Sequence, residues 1–367
     1  MNSKYNKEIE IKERNYGVDL LRIVSMLLVV LLHVMRQGGI LNNVPMFSLK
    51  YAISWLLEIL AFGAVNCYAL TSGFVGINSS SKLRNLIQLW FQVFFYSFSI
   101  TMIFLYLAPS LVDITSIFQA FFPMSSGVYW YFTAYFGLFL IIPMLNFVIN
   151  NMDEKRTKTM LSIGFVLFSI LPTFTFIDQF QLEAGYSMLW LIYLYLIGAY
   201  MQKYNVLERI HKNKCIYLFL GLSIITWLSK LIIDTMIAKF SIEIIRSTML
   251  IEYISPTVLL GSVALFAFFA KLNLRKYKKI ISSLSPLSFG VYLIHTQPLI
   301  WDNLFKDRFV FLSNKPIIQM FVGIFLSIIG VYTVCLMIEY ARVQIFKYLK
   351  LKEYSIQMEK YILKKLK

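Results

Sequence analysis

Charge is what this chain has least of. Only 15% of its 367 residues are Asp, Glu, Lys or Arg, whereas 58% are hydrophobic and 17% aromatic. That balance excludes a soluble globular domain and identifies an all-α, polytopic integral membrane protein. Acid is scarcer than base, with 19 Asp and Glu facing 35 Lys and Arg, a formal net charge of +16. In a soluble chain the surplus would point to nucleic acid; here the basic residues alternate with apolar runs and act as topology signals, so no nucleic-acid partner is expected. Cysteine is nearly absent. Cys67, Cys215 and Cys335 each lie in or beside an apolar run, which excludes a disulfide framework and zinc spacing, and no metal is expected. Glycine-rich nucleotide loops of the P-loop or Rossmann kind are missing as well. The connectors are short, so an active site must be built from the helices and their loops.

Hydropathy draws ten spans, at 18–36, 50–75, 86–108, 128–149, 159–177, 186–203, 215–235, 249–270, 285–305 and 316–339. The organisation expected is an N-terminal segment over 1–17, a membrane domain over 18–339 and a basic tail over 340–367. Roughly three-quarters of the Lys and Arg fall in the N-terminus, the tail and alternate connectors, which predicts an even number of spans with both termini cytoplasmic. The first apolar run carries Asp19 and Arg22 and leads into Met35-Arg36-Gln37-Gly38-Gly39 without a small-x-small cleavage site, so it is expected to be an uncleaved helix. Residues 109–127 mix apolar and small polar side chains with no Lys or Arg, as an interfacial or re-entrant segment does. The tail reads as an amphipathic helix on an anionic inner leaflet.

Chemistry concentrates in the first span. Asp19, Arg22 and His33 stand inside the stretch from Arg14 to Arg36. Eleven residues from Arg22 to His33 is about 1100° at 100° per residue, so both project from nearly one face, about 16 Å apart along the axis. An ionisable group in a spanning helix costs roughly 2.5 to 3.5 kcal/mol on insertion scales, so this face is expected to turn toward other helices or a wet cavity. Imidazole suits a general base because it titrates near the working pH. A histidine merely hydrogen-bonded in the core is the bland alternative, and interfacial anchoring is the corresponding one for Asp19 and Arg22.

Three further stretches supply candidates. Thr71, Ser72 and Gly73 end the second span, with Lys82 and Arg84 just beyond, offering hydroxyls, close backbone approach and two cations to a phosphate-bearing donor. Trp130 and Tyr131 open the fourth span; they form either an interfacial belt or a stacking surface for a sugar ring. His295 lies about 15 Å into the ninth span, at a depth similar to His33, in a helix made irregular by Pro286, Gly290 and Pro298. Glu58 and Glu252 are candidates to orient a histidine or line an acceptor cavity, whereas Lys230 and Asp234 form an i,i+4 structural pair.

Taken together, Val18-Asp19-Leu20-Leu21-Arg22 with His33, Leu70-Thr71-Ser72-Gly73-Phe74 with Arg84, Trp130-Tyr131-Phe132 before Ile142-Pro143, and Ser288-Phe289-Gly290-Val291-Tyr292-Leu293-Ile294-His295 give the chain a resemblance that covers almost its whole length. It resembles the bacterial membrane-bound acyltransferase family 3. Thr71 departs from the hydrophobic residue often found there, and the chain carries no esterase-like extension. The resemblance implies a ten-helix core that takes an acyl group, usually acetyl, from cytoplasmic acyl-CoA and places it on a hydroxyl of a surface or lipid-linked glycan. It further implies a bacterial plasma-membrane location, His33 as catalytic base, Arg22 as its motif partner and Arg84 as a contact to the CoA phosphates. Direct transfer and an acyl-serine or acyl-histidine intermediate both stay open. The alternative function is an exporter or flippase of a lipid-linked or surface polysaccharide, which inverted repeats would favour; no clear repeat relates the two halves.

Overall fold

The computed structural model describes residues 14–79, 82–240 and 246–365. Residues 1–13 of the expected N-terminal segment therefore lie outside the described residues. Among the described residues the chain is helical, with no strand. The main helices are α1 (Tyr16–Met35), α2 (Leu49–Phe62), α3 (Ala64–Gly76), α4 (Leu83–Leu107), α5 (Ile114–Phe121), α6 (Trp130–Asn151), α7 (Glu154–Phe165), α8 (Met188–Lys203), α9 (Lys212–Phe240), α10 (Pro256–Ala270), α11 (Ser288–His295), α12 (Ile317–Tyr348) and α13 (Leu351–Lys365).

Among the described residues, seven helical stretches are long and apolar enough to cross a bilayer, and an eighth span arises if the pair Pro256–Ala270 and Arg275–His295, bent by 80°, is one crossing. The ten apolar runs are nonetheless all present as helix. Two further runs are short: α8 has 16 residues, and α10, which ends before the bend, has 15. The ninth run is broken near Ser285-Pro286 and again after His295, where Gln297 caps the next turn by accepting from the amides of Leu299 and Ile300.

The helices divide into an inner and an outer set. About two-thirds of the apolar windows in Tyr16–Asn43 and Leu49–Gly76 are buried within the protein, compared with 17% for Lys212–Phe240 and Ile317–Tyr348. In a membrane an apolar side chain gains little by leaving lipid, so the inner set is held by close approach and hydrogen bonds. At the α3–α8 crossing a Cβ on Gly73 would overlap the Tyr195 carbonyl, and one on Gly198 would overlap the Leu70 carbonyl. Each glycine is where the partner's backbone needs to be. Gly73 is thus a packing residue facing α8, which corrects its expected role at a donor site.

Charges within the bundle are paired. Lys230 and Asp234 bridge one another on α9, and the Tyr51 hydroxyl donates to Asp234 at 2.6 Å, so the pair is the structural clamp expected of it. Glu339, fully buried, accepts from Gln92, Tyr96 and Arg342, joining α4 to α12. The tail is helical from Leu351, and α13 lies against α4 through Arg84 and Glu359. Residues 109–127 form a short turn and α5, whose Ile114, Phe118 and Phe121 are exposed, as in a segment lying at the interface.

Candidate functional site

The face of α1 that carries the polar residues borders two cavities, one toward each end of the helix. At the N-terminal end Asp19 is buried, and it accepts from Arg14 Nε at 2.5 Å and from Arg22 at 3.1 Å. Asp19 therefore fixes Arg22; it does not reach His33. The Arg22 guanidinium borders an inner cavity of about 410 Å³ that Ser72, Gly76, Asn85, Tyr135, Ser285 and Ser288 also line. Arg84, expected beside a nucleotide phosphate, does not border this cavity. Its backbone amide donates to Glu359 at 3.2 Å and its guanidinium lies 3.5 Å from the same carboxylate. Lys82 is exposed, as the residue preceding α4. Of the four expected donor contacts, the fold brings Ser72 to the cavity and adds Arg22.

At the other end, His33 borders an outer cavity of about 700 Å³ with Arg36, Gln37, Trp130, Tyr131, Tyr186, Tyr253, Trp301 and Asp302. Its Nδ1 lies 2.7 Å from Nε2 of His295, and Nδ1 of His295 lies 2.6 Å from the Val291 carbonyl oxygen. A carbonyl only accepts, so His295 Nδ1 carries a hydrogen. In neutral His295, Nε2 is then the acceptor, and His33 Nδ1 must donate to it. That assignment leaves the lone pair of His33 on Nε2, the nitrogen free to meet a ligand. The edge-on ring of Trp301, with centroids 4.7 Å apart, fixes the imidazole from the side.

Two backbone hydrogen bonds hold the histidines in register. Asp307 N donates to Gln37 O at 2.8 Å and Phe309 N to Gly38 O at 3.0 Å, stitching the loop after α1 to the segment beyond α11. His295 is only 2% exposed and stands behind His33, so it orients that imidazole; it does not line the cavity, where an acceptor-binding role was expected of it. Glu58 is corrected in the same way. It is fully buried and bonded to Arg36, and it reaches the cavity only through that guanidinium. Glu252 pairs with Arg246 at 3.5 Å, away from His33.

Trp130 and Tyr131 both line this cavity, and Tyr186 and Tyr253 extend the aromatic wall they form. Trp130 lies 4.5 Å from Tyr186, and it stacks at 24° on Tyr253, centroids 6.2 Å apart. Asn66 steadies this wall, donating to the Tyr253 carbonyl at 2.9 Å and accepting from Trp190 at 3.0 Å. Arg36, Tyr186, Tyr253 and Trp301 are site residues that the sequence reasoning missed. Only Arg36 had a signal, as the i+3 neighbour of His33. Among the described residues no group of three His, Cys, Asp or Glu is placed to hold a metal ion.

A neutral imidazole with one free nitrogen, facing an aromatic cavity inside a helical bundle with a second, cationic cavity below it, defines a membrane protein equipped for group transfer. The family is shown by comparison: residues 15–336 match the model described as an acyltransferase domain, and the chain belongs to acyltransferase family 3. The match covers α1 through most of α12, so both cavities lie within it. Comparison with curated proteins and with solved structures finds no match.

Proposed function

We propose that this membrane acyltransferase moves an acetyl group from cytoplasmic acetyl-CoA, or another short acyl-CoA, to a hydroxyl of a cell-surface or lipid-linked glycan. The observation that carries the reading is the His33–His295 pair, which leaves His33 Nε2 unprotonated at the floor of an aromatic cavity. A sugar ring presents an apolar face and a rim of hydroxyls, and Trp130 and Tyr131 offer surfaces for the first while His33 meets the second. In the step proposed, His33 Nε2 takes the hydroxyl proton as the oxygen attacks the thioester carbonyl. The C–O ester bond forms, the C–S bond breaks, and the proton passes from His33 to the departing CoA thiolate.

Arg22, held by Asp19 beside Ser72, is the cation offered to the donor. On this reading the protein lies in the bacterial plasma membrane with both termini cytoplasmic, an orientation supported by the gathering of basic residues in the termini and alternate connectors. That orientation opens the Arg22 cavity inward, where acyl-CoA is made, and the His33 cavity outward. Export of a whole glycan fits less well, since packed aromatic rings lie between the cavities.

The test has two arms. Membranes containing the protein release CoA thiol from acetyl-CoA when surface glycan from the producing cell is added, and those containing His33→Ala do not. Deleting the protein removes O-acyl signals from the NMR spectrum of that glycan. A spectrum unchanged on deletion, together with no thiol release, would end the proposal.

A further inference from the structure

A third cavity, of about 560 Å³, shares no lining residue with the two described above. It is a groove walled by α7, α8, α9 and α10 and by the connector that joins α8 to α9. Its lining is graded from one end to the other. Lys158 near the start of α7, Lys214 near the start of α9, and Arg209 and His211 of the connector form a basic end. Away from that end the walls follow α8 from Met201 back to Tyr193 and α10 from Ala267 back to Leu259, eight residues or about 12 Å of helix each. That length is apolar or aromatic. The Tyr193 hydroxyl is spent on the Leu161 carbonyl at 2.8 Å, and Leu218 and Leu260, 52% and 41% exposed, leave the trough open at its side.

The basic end carries more charge than the protein balances. Arg209 is bonded to Glu154 through both terminal guanidinium nitrogens, whereas Lys158 and Lys214, both exposed, make no salt bridge or side-chain hydrogen bond among the described residues. Glu154 therefore offsets one of three cations. An apolar trough that ends in surplus positive charge, where membrane helices emerge into their connectors, complements a molecule with acyl chains and an anionic head.

We propose that this groove binds one anionic phospholipid, with its phosphodiester at Lys158, Lys214 and His211 and an acyl chain laid along α8 and α10.

On the orientation proposed above, it is a lipid of the inner leaflet. Neither part of the site suffices alone. A zwitterionic lipid fills the trough but brings no net charge to the lysines, and a soluble phosphate meets the lysines but buries no apolar surface. A lipid seated here touches four helices at once, so it stabilises the folded chain by mass action. This role does not depend on the acyl-transfer chemistry.

The experiment uses the full chain, delipidated in detergent and titrated with phosphatidylglycerol, with phosphatidylcholine of the same chains, and with glycerol phosphate. Native mass spectrometry counts the bound lipid while the Tm is followed in parallel. One phosphatidylglycerol is retained per chain and the Tm rises saturably; phosphatidylcholine binds at least tenfold more weakly, and glycerol phosphate leaves the Tm unchanged. The double variant Lys158→Ala, Lys214→Ala weakens phosphatidylglycerol binding at least tenfold. Removing the same charge from exposed positions elsewhere, by Lys347→Ala with Lys352→Ala, does not. Val263→Trp fills the trough and abolishes retention with the lysines intact. Equal retention of the two lipids shows annular lipid only, and glycerol phosphate that matches phosphatidylglycerol shows an anion site without the trough. Either result, no retained lipid at all, or a double lysine variant that binds as the wild type does, overturns the proposal.

Discussion

The two ends of α1 solve different problems with similar materials. At the inner end a charge is kept: Arg22 is pinned by Asp19, and its guanidinium borders a cavity edged with serine hydroxyls. At the outer end charge is avoided. His33 is paired with a second neutral imidazole, and Arg36, the nearest cation on the helix, is balanced by buried Glu58. A fixed cation suits recognition of an anionic donor, while an uncharged imidazole suits proton removal. On the proposed function, the difference lays donor capture and proton transfer in sequence along one helix, so variants at the two ends should damage different kinetic constants.

The sharpest break in that comparison is His33→Ala, expected to lower kcat by about 10²- to 10⁴-fold with a small change in the KM for acetyl-CoA, as measured by thiol release at saturating donor. His295→Phe keeps a ring but removes the acceptor that fixes the His33 tautomer; kcat should fall at least about tenfold, because a wrongly protonated base cannot accept at Nε2. At the other end, Arg22→Ala deletes a charge-assisted contact of roughly 1.5 to 3 kcal/mol, so the KM for acetyl-CoA should rise about ten- to a hundredfold while kcat falls less. The smallest effect is expected for Arg84→Ala. Its partner is Glu359 in a partly buried pair at the rim of the bundle, worth about 1 kcal/mol, so it should shift the KM by less than Arg22→Ala does and slightly lower the Tm in detergent. An Arg84 variant with the larger KM effect would move donor capture from the cavity to the α4–α13 surface and undo the contrast.

Much of the frame was legible in the sequence because lipid imposes one requirement everywhere: long apolar runs must satisfy their own backbone as helix. The angular step from Arg22 to His33 likewise needed no tertiary knowledge, and both residues line cavities on the side of α1 that faces the bundle. Pairing across helices was less accessible. His33 and His295 are 262 positions apart, and nothing local to either says that they touch. The depth match placed His295 at the level of His33 and yet assigned it to the acceptor, when packing puts it behind His33. Glu58 and Arg84 failed for one reason: each found an opposite charge, Arg36 or Glu359, that hydropathy places in a neighbouring element without giving its rotation. Gly73 failed for another, since a small residue near a helix end serves a ligand or a neighbouring helix equally well until the neighbour is known.

The pair of backbone bonds joining residues 37 and 38 to 307 and 309 has a mechanical consequence. It fuses two loops into a single rim, so His33 and the imidazole behind it are tied to one unit. The opposite lip is built differently: Tyr186 and Tyr253 hang from connectors instead of long helices.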